Sequence, residues 1–499
     1  MKWALALLCV ILLAPLALVD VPPLLDYPNH LARAVVLAQG ASDPALSRMY
    51  AAHWGIIPNL GTDLVLPPLL RVLPVHLAGR MVVGIAILLP VFGTIAYSRA
   101  VFGKRSLWPF ASALVAYNGT VLLGFLNFVA GVGLALLLAA AWIVWRERFP
   151  LRTIALVTIA TIALFFCHLM SLVLFAILIG GHELVVLWRL RSGTAATLIR
   201  IATTALVFVP SVALYLLSPL VPLADATTWP TLSDKGWQIL LPFANYTLPL
   251  DIATAGLVVV YLLAGQCRIT AASGIPLVVT AFLYLVSPGA LKGTANFDAR
   301  FAIMLGFLLF AAALPTRAPR VAVGAFTLLF AIRMTVLGLA WTEHRHDLAD
   351  LRASISDVEP GARVFVAKVS SGDERIGRRL STGTPLDEHL PALLLIEHRA
   401  YWPFLFDNAS QQPVETLSPY RELAQRAGAI ADHRALSEPG TIDLCGYTYL
   451  LLLDSNGEPD LAHFAPDRLV LVRSAGYAAL FRVMPCTLKS AIAPSGARA

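Results

Sequence analysis

Five residues able to carry a charge, move a proton or make a strong hydrogen bond fall within eight positions of this chain. They are Asp26, Tyr27, Asn29, His30 and Arg33, in the stretch "DYPNHLAR". A carboxylate, an imidazole and a guanidinium are the groups that take up protons and pair with phosphate. A structural reading also stands for them: Asp26 starts a short interfacial helix near the positive end of its dipole, Arg33 meets lipid headgroups and His30 lies at the surface. A second polar outlier is Arg333, about mid-way through the apolar run "AFTLLFAIRMTVLGLA". An ionisable group at that depth is costly and faces an interior partner, a polar cavity or a lipid phosphate. Glu183 and Asp251 lie nearer the ends of their own apolar runs, and neither is an obvious mate.

The elements that must position these groups are helices in lipid. The chain has 499 residues, 58% hydrophobic and only 13% charged, the balance of a polytopic membrane protein. Residues 1–341 carry 21 Lys/Arg against 10 Asp/Glu, a net +11, and residues 342–499 carry 16 against 20, a net −4. The basic excess belongs to the apolar part and does not imply nucleic acid. With about 20 apolar residues needed per span, eleven spans are read near 3–19, 81–98, 106–118, 122–145, 153–168, 170–188, 198–217, 251–266, 274–288, 301–316 and 321–341. The stretch around Cys167-His168 is where the division between two of these is least marked.

An N-terminus in the cytoplasm places 13 Lys/Arg in inner connections and seven in outer ones, four of those in one long loop. The positive-inside rule favours that orientation, and an odd number of spans puts the tail outside. The first segment reads as a retained span, with a cleaved signal peptide as the alternative. Inner connections are short and basic, while the outer ones, 20–80, 218–250 and 289–300, hold the polar residues. The expected substrate side is the outer one.

The long first loop resembles that of the GT-C superfamily of membrane glycosyltransferases, especially the aminoarabinose transferase and protein O-mannosyltransferase branch. Asp26 matches the first acid of an Asp-Glu pair, with Tyr27 where the Glu stands, and Ala32-Arg33 matches an Ala-Arg signature on the interfacial helix. Pro67-Pro68-Leu69 resembles a Lys-Pro-Pro-Leu run, with Leu66 in the lysine's place. Arg300-Phe301, after Asp298, resembles an Arg-Tyr pair that opens a late span. The resemblance covers these motifs and the layout: one span, a long loop, many spans and an outer domain.

That resemblance implies transfer of a sugar from a polyprenyl-phosphate donor to an envelope acceptor at the outer face of a bacterial-type inner membrane, with inversion. Asp26 would take the acceptor's proton, and Asp63, in "NLGTDLV", is either a helix cap or a second acid that orients the acceptor. Arg300 and Lys292 would stabilise the leaving phosphate. Arg33, Asn29, His30 and Arg333 complete the expected substrate-binding set. The second outer turn, "AYNGTVLLGFLN", lacks the acidic pair of metal-binding members, so no tightly bound metal or other cofactor is expected. The rival readings are a transporter or lipid-handling protein, or an inactive relative acting as an assembly partner. Against transport, the sequence has no internal repeat and no pair of broken spans in corresponding halves.

Beyond residue 341 the pattern changes. "EHRHDLADLRASISDV" reads as a helix, and "ARVFVAKV", "TYLLLLDS", "RLVLVRS" and "AALFRV" as strands. Residues 342–499 are thus expected to form an α/β domain. "HRAYWPFLFDNASQQP" either borders an acceptor or packs on the membrane domain. Cys445 and Cys486 are the only cysteines in this tail, and an oxidising compartment favours their pairing.

Overall fold

The computed structural model describes residues 2–190, 193–220, 227–264, 267–292, 294–317, 320–369, 377–430, 444–454 and 469–485. The chain divides into two compact units. The first comprises Met1–Arg345 together with Glu374–Leu390 and Phe406–Glu415; the second comprises His346–Asp373, Pro391–Leu405 and Thr416–Ala499. The expected boundary at 341/342 therefore shifts to 345/346, and two pieces of the tail belong to the first unit.

The first unit is helical. In chain order its main helices are α1 Lys2–Leu13, α2 Tyr27–Gln39, α3 Gly61–Leu69, α4 Val75–Phe102, α5 Leu126–Trp145, α6 Pro150–Cys167, α7 Leu169–Leu190, α8 Thr194–Leu206, α9 Val209–Leu216, α10 Leu248–Ala264, α11 Ala271–Val286, α12 Phe297–Ala311 and α13 Arg320–Ile355. Five of them, α4, α5, α6, α7 and α13, are long and apolar enough to cross a membrane among the described residues. The pair α8 and α9 is bent by 46° and passes the same test as one broken span. Residues 2–17 and helices α10 and α11 are apolar but shorter.

Three expectations change, the first being the count: among the described residues five helices, or six with the bent pair, have the length and hydropathy of a span, where eleven are read from the sequence. The segment 106–118, read as a span, forms instead a 3-10 helix over Trp108–Val115. Eight residues rising about 2 Å each cover roughly 16 Å, half a hydrocarbon core. The helix expected after Trp341 does not start there, because α13 runs without a break from Arg320 to Ile355. The ambiguous Cys167-His168 position is a real break. His168 is extended, at φ −169° and ψ 127°, between the end of α6 and the start of α7.

Packing explains the order. Helix α4 lies along α5, α5 along α7, α7 against α11, and α11 against α12. Glu183 is a buried charge among them that is paired, as a low-dielectric interior favours. Glu183 of α7 accepts from Trp142 Nε1 at 2.8 Å and from Arg200 Nε at 2.5 Å, and Arg200 also meets Glu147 at 2.5 Å.

The second unit contains a four-stranded sheet of β1 Val364–Val369, β2 Tyr449–Asp454, β3 Leu469–Ala475 and β4 Ala478–Val483, in the order β1-β2-β4-β3. β1 and β2 run parallel, and the other pairs are antiparallel. The all-apolar run Leu450–Leu453 is buried in it, as expected of a central strand. The end of α13 belongs to this unit: Arg352 grips Glu397 at 2.6 Å, and Ser354 Oγ donates to Ala478 O at 2.9 Å. Cys445 is disulfide-bonded. Its expected partner, Cys486, lies outside the described residues.

Candidate functional site

The turn "AYNGTVLLGF" is the floor on which the polar cluster rests. Asn118 caps the short helix Gly119–Leu122, its Oδ1 accepting from Thr120 N at 3.0 Å and Val121 N at 3.2 Å. The helix then ends on carbonyls that point at the incoming loop. Leu25 N donates to Leu122 O at 2.9 Å, and Asp26 N donates to Leu123 O at 3.2 Å. Gly124 completes the turn at φ +84°. A Cβ there would come within 2.7 Å of Asp26 N, so only glycine permits this approach. The backbone of Asp26 is thereby fixed before its side chain does anything.

Asp26 occupies the position before α2 but makes no side-chain cap bond. Its carboxylate turns instead toward His389, whose Nδ1 lies 3.1 Å from Oδ1. His389 comes from the Glu374–Leu390 piece of the tail. Its ring stands edge-on to Phe406, with centroids 4.9 Å apart. Phe406, from the other returning piece, also faces His30 at 6.0 Å, and its N–H donates to Asn29 Oδ1 at 2.8 Å. Part of "HRAYWPFLFDNASQQP" is thus the roof over α2 within the first unit.

Helix α2 is buried from Tyr27 through Val36, so the surface roles open to His30 and Arg33 do not hold. Arg33 is fully buried and forks onto Asp63, Nε to Oδ1 at 2.5 Å and Nη2 to Oδ2 at 2.8 Å. Nη2 also donates to His30 Nδ1 at 3.0 Å, which makes that nitrogen the acceptor of a neutral ring. Burial, then the Arg33 charge, then His389, hold His30 well below the ordinary imidazole range. Asp63, in the first turn of α3, does not cap its helix by a side-chain bond; it neutralises Arg33. Tyr27, standing where the resemblance puts an acid, is seated with its hydroxyl against Gly79 of α4. Burial pushes its phenol up and keeps it protonated.

Arg300 approaches from the other side. Asn296, at φ +54°, opens α12, and Arg300 Nη1 donates to Ala295 O at 2.7 Å and Asn296 O at 2.8 Å. Its guanidinium carbon stands 5.1 Å from the centre of the Phe125 ring, on the same floor that holds Asp26. Asp26 and Asp298 are the carboxylates whose fields reach it, and its Nε is buried with no partner. Asp298 itself is taken by Lys235, whose Nζ donates to it at 3.1 Å and to the carbonyls of Tyr284 and Ser287.

Asp26 and Arg300 therefore meet on one floor, while Asn29, His30, Arg33 and Asp63 are joined to one another and to Phe406 along α2 and α3. Lys292 does not share these contacts: its Nζ donates to Leu220 O at 3.3 Å. Arg333 is engaged elsewhere, with Nη1 on Asp251 Oδ1 at 2.9 Å and Thr254 Oγ1 at 3.2 Å, and Nη2 on Phe243 O at 2.7 Å. Asp251, which looked remote in the sequence, is its mate. His389 was not foreseen, since a lone histidine in "PLDEHLP" carries no pattern linking it to residue 26.

Chemically, the cluster offers a held carboxylate beside an imidazole and near an arginine whose charge no contacting carboxylate cancels. Among the described residues no group of three His, Cys, Asp or Glu side chains is arranged to hold a metal ion. In comparison with known proteins, no family model, no curated protein and no solved structure matches this chain.

Proposed function

We propose that this protein is a membrane glycosyltransferase of GT-C-like layout that moves a sugar from a polyprenyl-phosphate donor to an envelope acceptor. The shorter apolar helices would join the long ones in the bilayer. Basic inner connections support a cytoplasmic N-terminus and a periplasmic second unit in a bacterial-type inner membrane. The observation that carries the reading is the pairing of opposite chemistries on one floor. Asp26 is held by its backbone with its carboxylate uncommitted to a cap, and Arg300 sits on Phe125 with a spare N–H.

In that reading Asp26 accepts the proton of the acceptor hydroxyl as the oxygen attacks the anomeric carbon. The sugar–phosphate bond breaks on the opposite side, so the configuration inverts. Arg300 stabilises the charge growing on the leaving phosphate, and its aromatic seat keeps the guanidinium plane fixed.

The test is direct. Purified full-length protein is incubated with labelled polyprenyl-phosphate sugars and envelope extract, and movement of label from lipid to acceptor is measured. Transfer that requires Asp26 is the expected result. No transfer from any donor, with import or flipping of the lipid instead, would favour a transporter or lipid-handling protein. Reporter fusions after Arg105, Arg148 and Arg320 should read cytoplasm, and one after Trp341 periplasm.

A further inference from the structure

Residues 377–390 of the tail form a strap within the first unit. Its described part begins with a tight hairpin, in which Leu380 N donates to Thr384 O and Leu386 N to Arg378 O, both at 2.9 Å. Leu380, Leu386 and Leu390 are buried, so the strap is packed along its length. At the hairpin tip Ser381 N donates to Asn245 O at 2.8 Å. The other side of that peptide is tied as well, because Asn245 N donates to Asp251 Oδ2 at 3.0 Å. Asp251 is the carboxylate held by Arg333, whose remaining reach goes to Phe243 O in the same turn. A chain of contacts thus runs from Arg333 through Asp251 and the Asn245 backbone to Ser381. Eight residues on from Ser381, the strap ends at His389 and Asp26.

We infer that His389 is the positioning residue for Asp26, and that the buried Arg333–Asp251 pair is the anchor of the strap that delivers it. The inference rests on the transfer reading above. A carboxylate has two oxygens and free rotation about its last bond. With the backbone held at Leu123 O and His389 Nδ1 standing 3.1 Å from Oδ1, a close polar contact without hydrogen-bond geometry, the carboxylate is kept facing the imidazole. A base must stand within hydrogen-bond reach of the proton it takes, and small misplacements of the group are expensive in rate. The Phe406 ring, edge-on to both His389 and His30, prevents the imidazole from tipping away. Among the described residues Arg333 touches none of the groups around Asp26; its contribution passes through the strap and through the turn it holds at Phe243, where Leu241 O accepts from Gly119 N of the floor at 3.0 Å.

The experiment uses the full chain in two arms. In the first, transfer is measured for the wild type, His389→Ala, His389→Gln, Asp26→Asn and the double variant Asp26→Asn/His389→Ala. His389→Ala should lower kcat about 10- to 100-fold with KM for the lipid donor unchanged within about twofold. His389→Gln, which keeps a polar group beside Oδ1, should recover part of the loss, and the double variant should be no slower than Asp26→Asn alone. In the second arm, cysteines placed at 26 and 389 are treated with a short thiol–thiol cross-linker. Linkage should form in the wild-type background and fall several-fold with Arg333→Met. A His389→Ala protein at wild-type kcat beside an inert Asp26→Asn protein overturns this inference and leaves the transfer reading standing. A wild type that transfers nothing overturns the transfer reading, and the catalytic role of His389 with it. Absent linkage, or linkage indifferent to Arg333→Met, overturns the strap anchor whatever the first arm gives.

Discussion

Arg33 and Arg300 are held in opposite ways. Arg33 lies in the wall made by α2 and α3, fully buried, with its fork closed on both oxygens of Asp63. Arg300, at the start of α12, is held by two carbonyls and an aromatic face, and among the described residues no carboxylate is in contact with it. A carboxylate that fixes an arginine also cancels its charge. A pair of carbonyls fixes the arginine and leaves the charge for something else. The first arrangement suits a structural tie, the second an anion site. The same contrast separates Arg333, neutralised by Asp251, from Arg300.

The largest effect expected from breaking this contrast is on Asp26. Asn keeps the shape but cannot accept a proton, so Asp26→Asn should reduce transfer by about 10²–10⁴-fold. Its unfolding midpoint should match the wild type, because the aspartate makes no side-chain cap bond to lose. Wild-type transfer by Asp26→Asn would return the cluster to a purely structural role.

Next come the two arginines. Arg33→Ala would strand the Asp63 charge in a fully buried setting and should destabilise the protein by about 3–5 kcal/mol. The double variant Arg33→Met/Asp63→Leu should regain most of that loss in denaturant titration. If both behave alike, the pair is not the tie described. Arg300→Ala should leave the unfolding midpoint near its wild-type value and lower transfer by about 10²–10³-fold. Arg300→Lys should lose less, since the charge survives without the planar fork. A strongly destabilised Arg300→Ala protein would erase the distinction between the two sites.

The smallest effect is on pH dependence. Burial and Arg33 hold folded His30 below its ordinary value of 6.5. Below that pH the unfolded chain binds a proton that the folded chain refuses. Stability should therefore be full above about pH 6.5 and decline as pH falls through it. His30→Gln, which can still accept from Arg33, should flatten that decline. An unchanged pH slope would show that another group causes it.

Much of the first layer of this protein was legible in its sequence because it is local. Pro22 and Pro23, followed by the apolar residues from Leu31 to Val36, mark α2. Long apolar runs mark α4, α5 and α7. The alternation lost at "YLLLL" marks the central strand. The 106–118 segment deceived because apolar composition does not distinguish a full span from a short 3-10 turn. The second layer joins residues that no local rule relates. Arg33 and Asp63 are 30 positions apart, and Arg333 and Asp251 are 82 apart. Asp251 looked unsuitable because it lies at a helix end, yet the bend carrying Phe243 and Asn245 brings that end to Arg333. The strap was invisible for a related reason: nothing in a polar, Pro- and Gly-containing tail segment says which unit it will pack on.

The bond from Phe406 to Asn29 closes across 377 residues. A chain emerging at about 5–20 residues per second inserts its first loop roughly 20–75 s before that roof exists. During that interval α2 can enter the membrane interface with its floor in place and its roof still unmade. Completion of the cluster is then a late event in the life of each molecule. A chain cut within the tail would keep Asp26 and Arg300 but lose His389 and Phe406, and under the transfer reading it would work more slowly than a finished copy.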